Sequence, residues 1–171
     1  YLTARKVGDW LYLFTSCYKE AGSGEEDVER YIPKINGSLM SYEDIYLPDV
    51  QTADHYVLIS AVNAADPQEA GDRKGIMLPG CEIYVSGQHA YFFLPEYSGS
   101  QEMTGIYCMG IEDGDIWAES AAQVPGLLYD SFSLDEYKGC LRLVTTEWDY
   151  ERGTHLNHLY VLDKELETIG G

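Results

Sequence analysis

Three short segments of this 171-residue chain repeat one plan, and that repetition constrains the fold more than any single motif. Gly8, Gly87 and Gly139 each stand in a turn just before a strongly apolar run: WLYLFTS (10–16), AYFFLP (90–95) and CLRLVTT (140–146). After each comes a loop and another apolar run, YVLISAV (56–62), IYCMGIE (106–112) or LYVLDK (159–164), then a tight turn and a weaker, more polar run. Runs this short, rich in β-branched and aromatic residues and bounded by Gly, Asp and Pro, read as strands. Asp113-Gly114 is the clearest hairpin signal, because its two residues tolerate the positive φ that a two-residue turn requires. In residues 10–17, Leu11, Leu13, Thr15 and Cys17 alternate with Tyr12, Phe14 and Ser16; both faces are largely apolar, which predicts a strand packed on both sides.

The plan is interrupted once, between 18 and 54. This segment opens with the acidic AGSGEEDVE and continues through Pro33, Asn36-Gly37 and Pro48 as breakers, with a weak helical signal around Glu43. It is far longer than ordinary strand connections. With it subtracted, the repeat spacing is about 45 to 50 residues with four strands each, the period of β-propeller blades. The expected fold is all-β: three four-stranded antiparallel sheets in one partial propeller domain over 1–171. Blade 1 covers about 1–79 with the insertion 18–54, blade 2 about 80–126 and blade 3 about 127–171. The second strand of each blade is expected to lie deep, buried between neighbouring sheets, and the fourth to face the rim. A β-sandwich of about twelve strands is the alternative; it explains the strand number but not the repetition.

The segment VPGLLYDSFSLDEYKGCLRLVTTEW (124–148), followed by NHLYVLDKELETIG (157–170), resembles the secreted β-propeller domain family of bacteria and archaea. Phe132, Ser133, Asp135, Glu136, Tyr137, Gly139, Leu141, Arg142, Thr145 and Thr146 carry the resemblance, with Leu134 where that family usually has Met. VGDWLYLFTS (7–16) and YIPK (31–34) resemble its earlier blades. The resemblance implies a secreted or cell-surface, distantly WD-repeat-like propeller and carries no enzymatic activity. Propellers close with about 4–8 blades, so three form a slice of a ring whose end faces would exceed what soluble monomers leave exposed. A second copy or further blades are expected to complete it.

Composition narrows the partners. With 29 acidic against 11 basic side chains, the formal charge is -18, which repels phosphate backbones and anionic lipid heads. Nucleic acid and membrane insertion are therefore not expected. The excess acid is read first as a solubility device, and second as suiting cationic partners or metal ions. No run approaches a membrane span, and no signal peptide is expected in this chain; its opening on Tyr1 suits a processed piece. Cys17, Cys81, Cys108 and Cys140 form no C-x-x-C pair and lie in or beside apolar runs, so they read as structural, as buried thiols or with one disulfide.

Catalytic motifs are missing from the sequence: there is no nucleophile elbow, P-loop, dinucleotide fingerprint or H-E-x-x-H. A non-enzymatic module is expected, binding protein or glycan through loops on a rigid scaffold. The alternatives are a fragment of a propeller hydrolase or lyase and a purely architectural surface domain. Tyr31, Tyr42 and Tyr46 of the insertion, with Trp148 and Tyr150 of WDYERGTH (148–155), are the candidate ligand-binding residues, because aromatics on loops give contact area at low entropic cost. The opposing reading is that the tyrosines fill gaps against the blades. Asp135, Glu136, Tyr137, Gly139 and Arg142 are expected to form a structural corner, with Asp135 satisfying turn N–H groups and Arg142 pointing inward to a partner. Asp113 and Asp115 are the candidate Ca2+ ligands, but their run lacks the distal ligands of an EF-hand and turn geometry explains it. No other cofactor is expected. His155 and His158 read as residues of a solvated loop running into a strand.

Overall fold

The computed structural model describes residues 1–18, 28–50, 53, 55–99 and 101–171. Most of AGSGEEDVE lies outside the described residues. The strands in order are β1 (Thr3–Val7), β2 (Trp10–Tyr18), β3 (Lys34–Ile35), β4 (Ser38–Leu39), β5 (Ile45–Tyr46), β6 (His55–Asn63) and β7 (Ala70–Leu78). They continue with β8 (Glu82–Val85), β9 (His89–Ser98), β10 (Gln101–Glu112) and β11 (Asp115–Pro125). The last are β12 (Leu127–Leu128), β13 (Leu134–Tyr137), β14 (Cys140–Asp149), β15 (Thr154–Leu162) and β16 (Thr168–Gly170). Among the described residues the helical content is three short 3-10 turns, and one of them, Tyr42–Asp44, sits where the weak helical signal lay. No helix among them is long and apolar enough to cross a membrane, which says nothing of a β-barrel.

The strands form three main sheets, ordered β1-β2-β6-β7-β5, β11-β10-β9-β8 and β12-β14-β15-β16, with β13 also on β14. Each contains a four-strand antiparallel meander, and the first gains β5 as a short parallel addition on β7. The chain is all-β, with the sheets of propeller blades. By contacts it divides into two compact units: Tyr1–Gly80 with Ile111–Trp117, and Cys81–Gly110 with Ala118–Gly171.

In the first unit, Val7 pairs with Trp10 across Gly8-Asp9, and Gly8 takes φ +56 in a two-residue turn. Tyr12 and Phe14 of β2 are fully buried while Leu11 and Leu13 on the other face are half-buried, so the strand is packed on both sides but unequally. Within the insertion, Asn36-Gly37 closes a small β3–β4 hairpin, both residues at positive φ. Its described part is anchored by Met40, Ile32, Ile35 and Ile45 against Tyr56, Leu58, Cys17 and Met77, and by an ion pair between Lys74 and Asp44 at 2.6 Å.

In the second unit the core joins one face of β9 and β10 to one face of β13 and β14: Tyr91, Phe93, Ile106 and Cys108 meet Leu134, Leu141 and Leu143. Residues Thr104–Ile111 of β10 are buried without a break. The second strands are not alone in lying deep: in the first two sheets β6 and β10 are covered at least as fully as β2 and β9. In a four-strand meander the second and third strands are both central, so both lose solvent. The fourth strands β11 and β16 are largely exposed, as their polarity predicts, whereas β7 buries Gly75, Ile76 and Leu78.

Candidate functional site

The aromatic candidates fall in different units. Tyr31 ends the 3-10 turn Val28–Tyr31, Tyr42 opens Tyr42–Asp44, and Tyr46 lies in β5, all in the first unit. Tyr42 is exposed and the other two are half-buried. The insertion does pack, as the tyrosines suggested, but the anchors are its aliphatic residues and Met40. A shallow cavity of about 150 Å³ lined by Ile35, Leu39, Met40, Asp44 and Arg73 includes none of the three tyrosines.

Trp148 and Tyr150 belong to the second unit. The segment 148–155 is mostly strand and turn of one hairpin rather than a separate loop. β14 runs through Asp149, β15 begins at Thr154, and Trp148 pairs directly with His155. Their rings meet edge to face at 4.8 Å between centroids, a geometry that the ring quadrupoles favour. His155 and His158 are thus strand residues, not loop residues; His158 stacks with Tyr160 and lies 3.3 Å from Glu147. Sequence polarity hid these strands because the far end of the hairpin runs beyond its flanking strands and can carry polar side chains.

Trp148 and His155 form one end of an open groove of about 410 Å³ completed by Leu127, Leu128, Tyr129, Thr146 and Glu102. The short strand β12 brings Leu127 and Leu128 there by pairing with Thr146 and Thr145. Thr104 holds that corner closed: its hydroxyl donates to the Gly126 carbonyl at 2.7 Å and accepts from the Leu128 N–H at 2.9 Å. Tyr129 is 86% exposed. Tyr150, also highly exposed, is not part of the groove lining. Apolar walls with a carboxylate and a hydroxyl among them can take a ligand that has a flat apolar face and hydroxyl edges.

The 135–142 motif departs from its expected form. Asp135, Glu136 and Tyr137 are strand residues, and only Lys138-Gly139 makes the turn, at φ +53 and +74. Gly139 has open space where a side chain would be, so its requirement is conformational. Arg142 does not point inward. It shares the exposed face of β14 with Val144, while Leu141, Leu143 and Thr145 turn to the core. It makes a two-pronged pair with Asp135, Nε at 2.8 Å and one terminal nitrogen at 2.5 Å, and lies over the Tyr137 ring at 4.8 Å. The guanidinium holds the Asp135 carboxyl below its ordinary value. Because both partners are about half exposed, solvent screening keeps the pair weak. Asp135→Ala is accordingly expected to shift the melting temperature only slightly; a loss comparable to a core truncation would show that the pair acts as a lock.

Glu136, on the opposite face, is the buried member. Its carboxylate accepts from His89 Nδ1 at 2.8 Å and from the Tyr91 hydroxyl at 3.0 Å. Burial opposes its charge, but these donors and the His89 charge bring its carboxyl net below the ordinary value. His89 turns its other nitrogen toward Glu119, 3.4 Å away. Burial pushes the Cys108 thiol up to about 12 and the Tyr91 phenol upward as well. His89, Cys108 and Glu119 offer ligand atoms all within 4.8 Å of one another, the one such trio among the described residues. Sequence reasoning took Cys108 only as a structural cysteine and did not join it to His89 or Glu119, because the three come from different strands. Asp113 and Asp115 belong to no such trio; Asp113, at φ +46, and Gly114 form the hairpin turn. All four cysteines are free thiols, Cys108 buried and the others half-buried.

The chain matches the model of the family described as "Beta propeller domain" over residues 1–171. It belongs to that family. Among its relatives, an uncharacterized protein of Archaeoglobus fulgidus is 52% identical over 54 residues, which cover 31% of this chain and 8% of the relative. An uncharacterized protein of Methanocaldococcus jannaschii is 33% identical over 79 residues, 46% of this chain and 12% of the relative. The matched stretch is thus a small part of each relative's length. The propeller family accounts for the repeating sheets and leaves the ligand to be argued from the surface of this chain.

Proposed function

We propose that this β-propeller segment is a non-enzymatic binding module of a secreted or cell-surface protein, and that its ligand is an oligosaccharide seated in the groove at Trp148. The observation that carries this reading is the groove itself. An indole held edge-on by His155 stands beside the exposed Tyr129, with Glu102 and Thr146 as polar neighbours. A sugar ring presents an apolar C–H face to an aromatic and hydroxyls to a carboxylate. The negative net charge of the chain supports a neutral or cationic ligand over an anionic one. The aromatics of the insertion are left as a separate, protein-facing surface in the first unit. Completion of the ring, by further blades or a second copy, belongs to the same proposal: Val144 and Leu159 pair across β14 and β15 and are exposed, as residues awaiting a neighbouring blade would be.

The test is a panel of cell-surface and cell-wall oligosaccharides titrated calorimetrically into the chain. Trp148→Ala is expected to weaken binding at least roughly tenfold, or about 1.4 kcal/mol, while Trp117→Ala, a comparably exposed indole, leaves it unchanged. Failure of the whole panel, or equal affinity in Trp148→Ala, removes the groove as the site.

A further inference from the structure

We infer that His89, Cys108 and Glu119 form a binding site for a divalent ion of borderline softness, Zn2+, with Glu136 holding the histidine from behind. The two-residue turn between Glu112 and Asp115 sets Cys108 opposite Glu119 across the hairpin, on one face of the sheet. On the other side of β10, Tyr91 pairs with Cys108 and His89 with Gly110, so the imidazole reaches Cys108 along the diagonal. Three ligand types suited to zinc therefore converge from β9, β10 and β11.

The two sides of the imidazole differ in a way that favours a cation between them. The Nδ1 contact with Glu136, at 2.8 Å, has the length of a charge-assisted hydrogen bond. It places the proton on Nδ1 and leaves the lone pair of neutral histidine on Nε2, the orientation that a carboxylate behind a metal-bound histidine imposes. The Nε2 contact with Glu119, at 3.4 Å, is too long for such a bond. It is close to the separation, about 3.3 Å, of two ligand atoms each about 2.0–2.1 Å from a tetrahedral zinc.

A second observation is independent of the trio. Ser120, next to Glu119, has its hydroxyl oxygen buried without a hydrogen bond of ordinary geometry. A bound ion gives this oxygen a partner, either the thiolate or a water in the fourth position. Charge also balances: one thiolate and one carboxylate neutralise the ion, and the thiol proton leaves to solvent as it binds. The sulfur ligand selects against Ca2+ and Mg2+. The Glu119 side chain, 29% exposed, leaves a way in.

Cobalt(II) titrated into the full, metal-stripped chain tests this. One equivalent is expected to give the near-ultraviolet thiolate-to-cobalt charge-transfer band, and Zn2+ to displace it and raise the melting temperature. Cys108→Ser should abolish the band. Glu119→Gln, a partly exposed change that spares the core, should weaken binding at least tenfold. A variant with Ser at Cys17, Cys81 and Cys140 should keep the band. The proposal is overturned by no band in the parent chain, by a band that survives Cys108→Ser, by unaltered affinity in Glu119→Gln, or by loss of the band in the triple variant.

Discussion

Replacing Gly114 with alanine is expected to lower the unfolding free energy by about 3 kcal/mol, from strain and overpacking together. Gly114 sits at φ +91, and a Cβ there would come 2.7 Å from the Trp10 indole. Its backbone is fully engaged: its N–H donates to the Tyr12 hydroxyl at 3.0 Å, and its carbonyl accepts from the Asp72 N–H at 2.8 Å. Asp72 also accepts from the Ile116 N–H at 3.0 Å. The turn cannot retreat from the ring without breaking these bonds. Gly8→Ala supplies the comparison, since Gly8 has positive φ but open space around it and should lose only about 1 kcal/mol. Urea denaturation of the two variants checks the difference. Equal losses would mean that backbone conformation alone, and not the Trp10 contact, accounts for Gly114.

Glu136→Ala is expected to cost about 3 kcal/mol, because it strands two donors, the half-buried His89 Nδ1 and the hydroxyl of buried Tyr91, rather than merely deleting a carboxylate. Tyr91→Phe removes one of those donors together with its need and should cost about 1 kcal/mol. The pH dependence follows from the lowered carboxyl of Glu136. Its folded value lies below its unfolded one, so the unfolded chain binds the proton first as pH falls. The stabilisation is complete above the ordinary glutamate value of 4.5 and disappears as pH drops through the lower folded value. Parent chain and Glu136→Gln should therefore differ most near neutral pH and converge on acidification. Parallel stability curves across that range would show that Glu136 is not held ionised by its neighbours.

These two residues also mark how far the sequence could be read. Asp113-Gly114 announces a hairpin by local chemistry, and the structure has that hairpin. Nothing local says that an indole more than a hundred positions away occupies the space beside Gly114. Glu136 and Asp135 are neighbours in the sequence and were read as one corner motif. Strand alternation separates them, one paired with Arg142 in solvent and the other buried with His89. The alternation in CLRLVTT was itself enough to turn Arg142 away from Leu141 and Leu143, and reading the whole strand as apolar obscured it.

By itself the sequence determined the all-β class, the three repeats, the glycine turns before β2, β9 and β14, and the polar fourth strands. All of these rest on periodicity and turn chemistry within about ten residues, the range over which backbone preference acts directly. Tertiary structure alone decided that Trp148 faces His155 over a groove, and that His89, Cys108 and Glu119 converge in front of Glu136. Those neighbours meet through pairing register and the stacking of one sheet face on another. Register is cooperative over a whole strand, and a shift of one residue exchanges its two faces. No single residue encodes that choice; the burial of Leu141, Leu143, Phe93 and Ile106 fixes it.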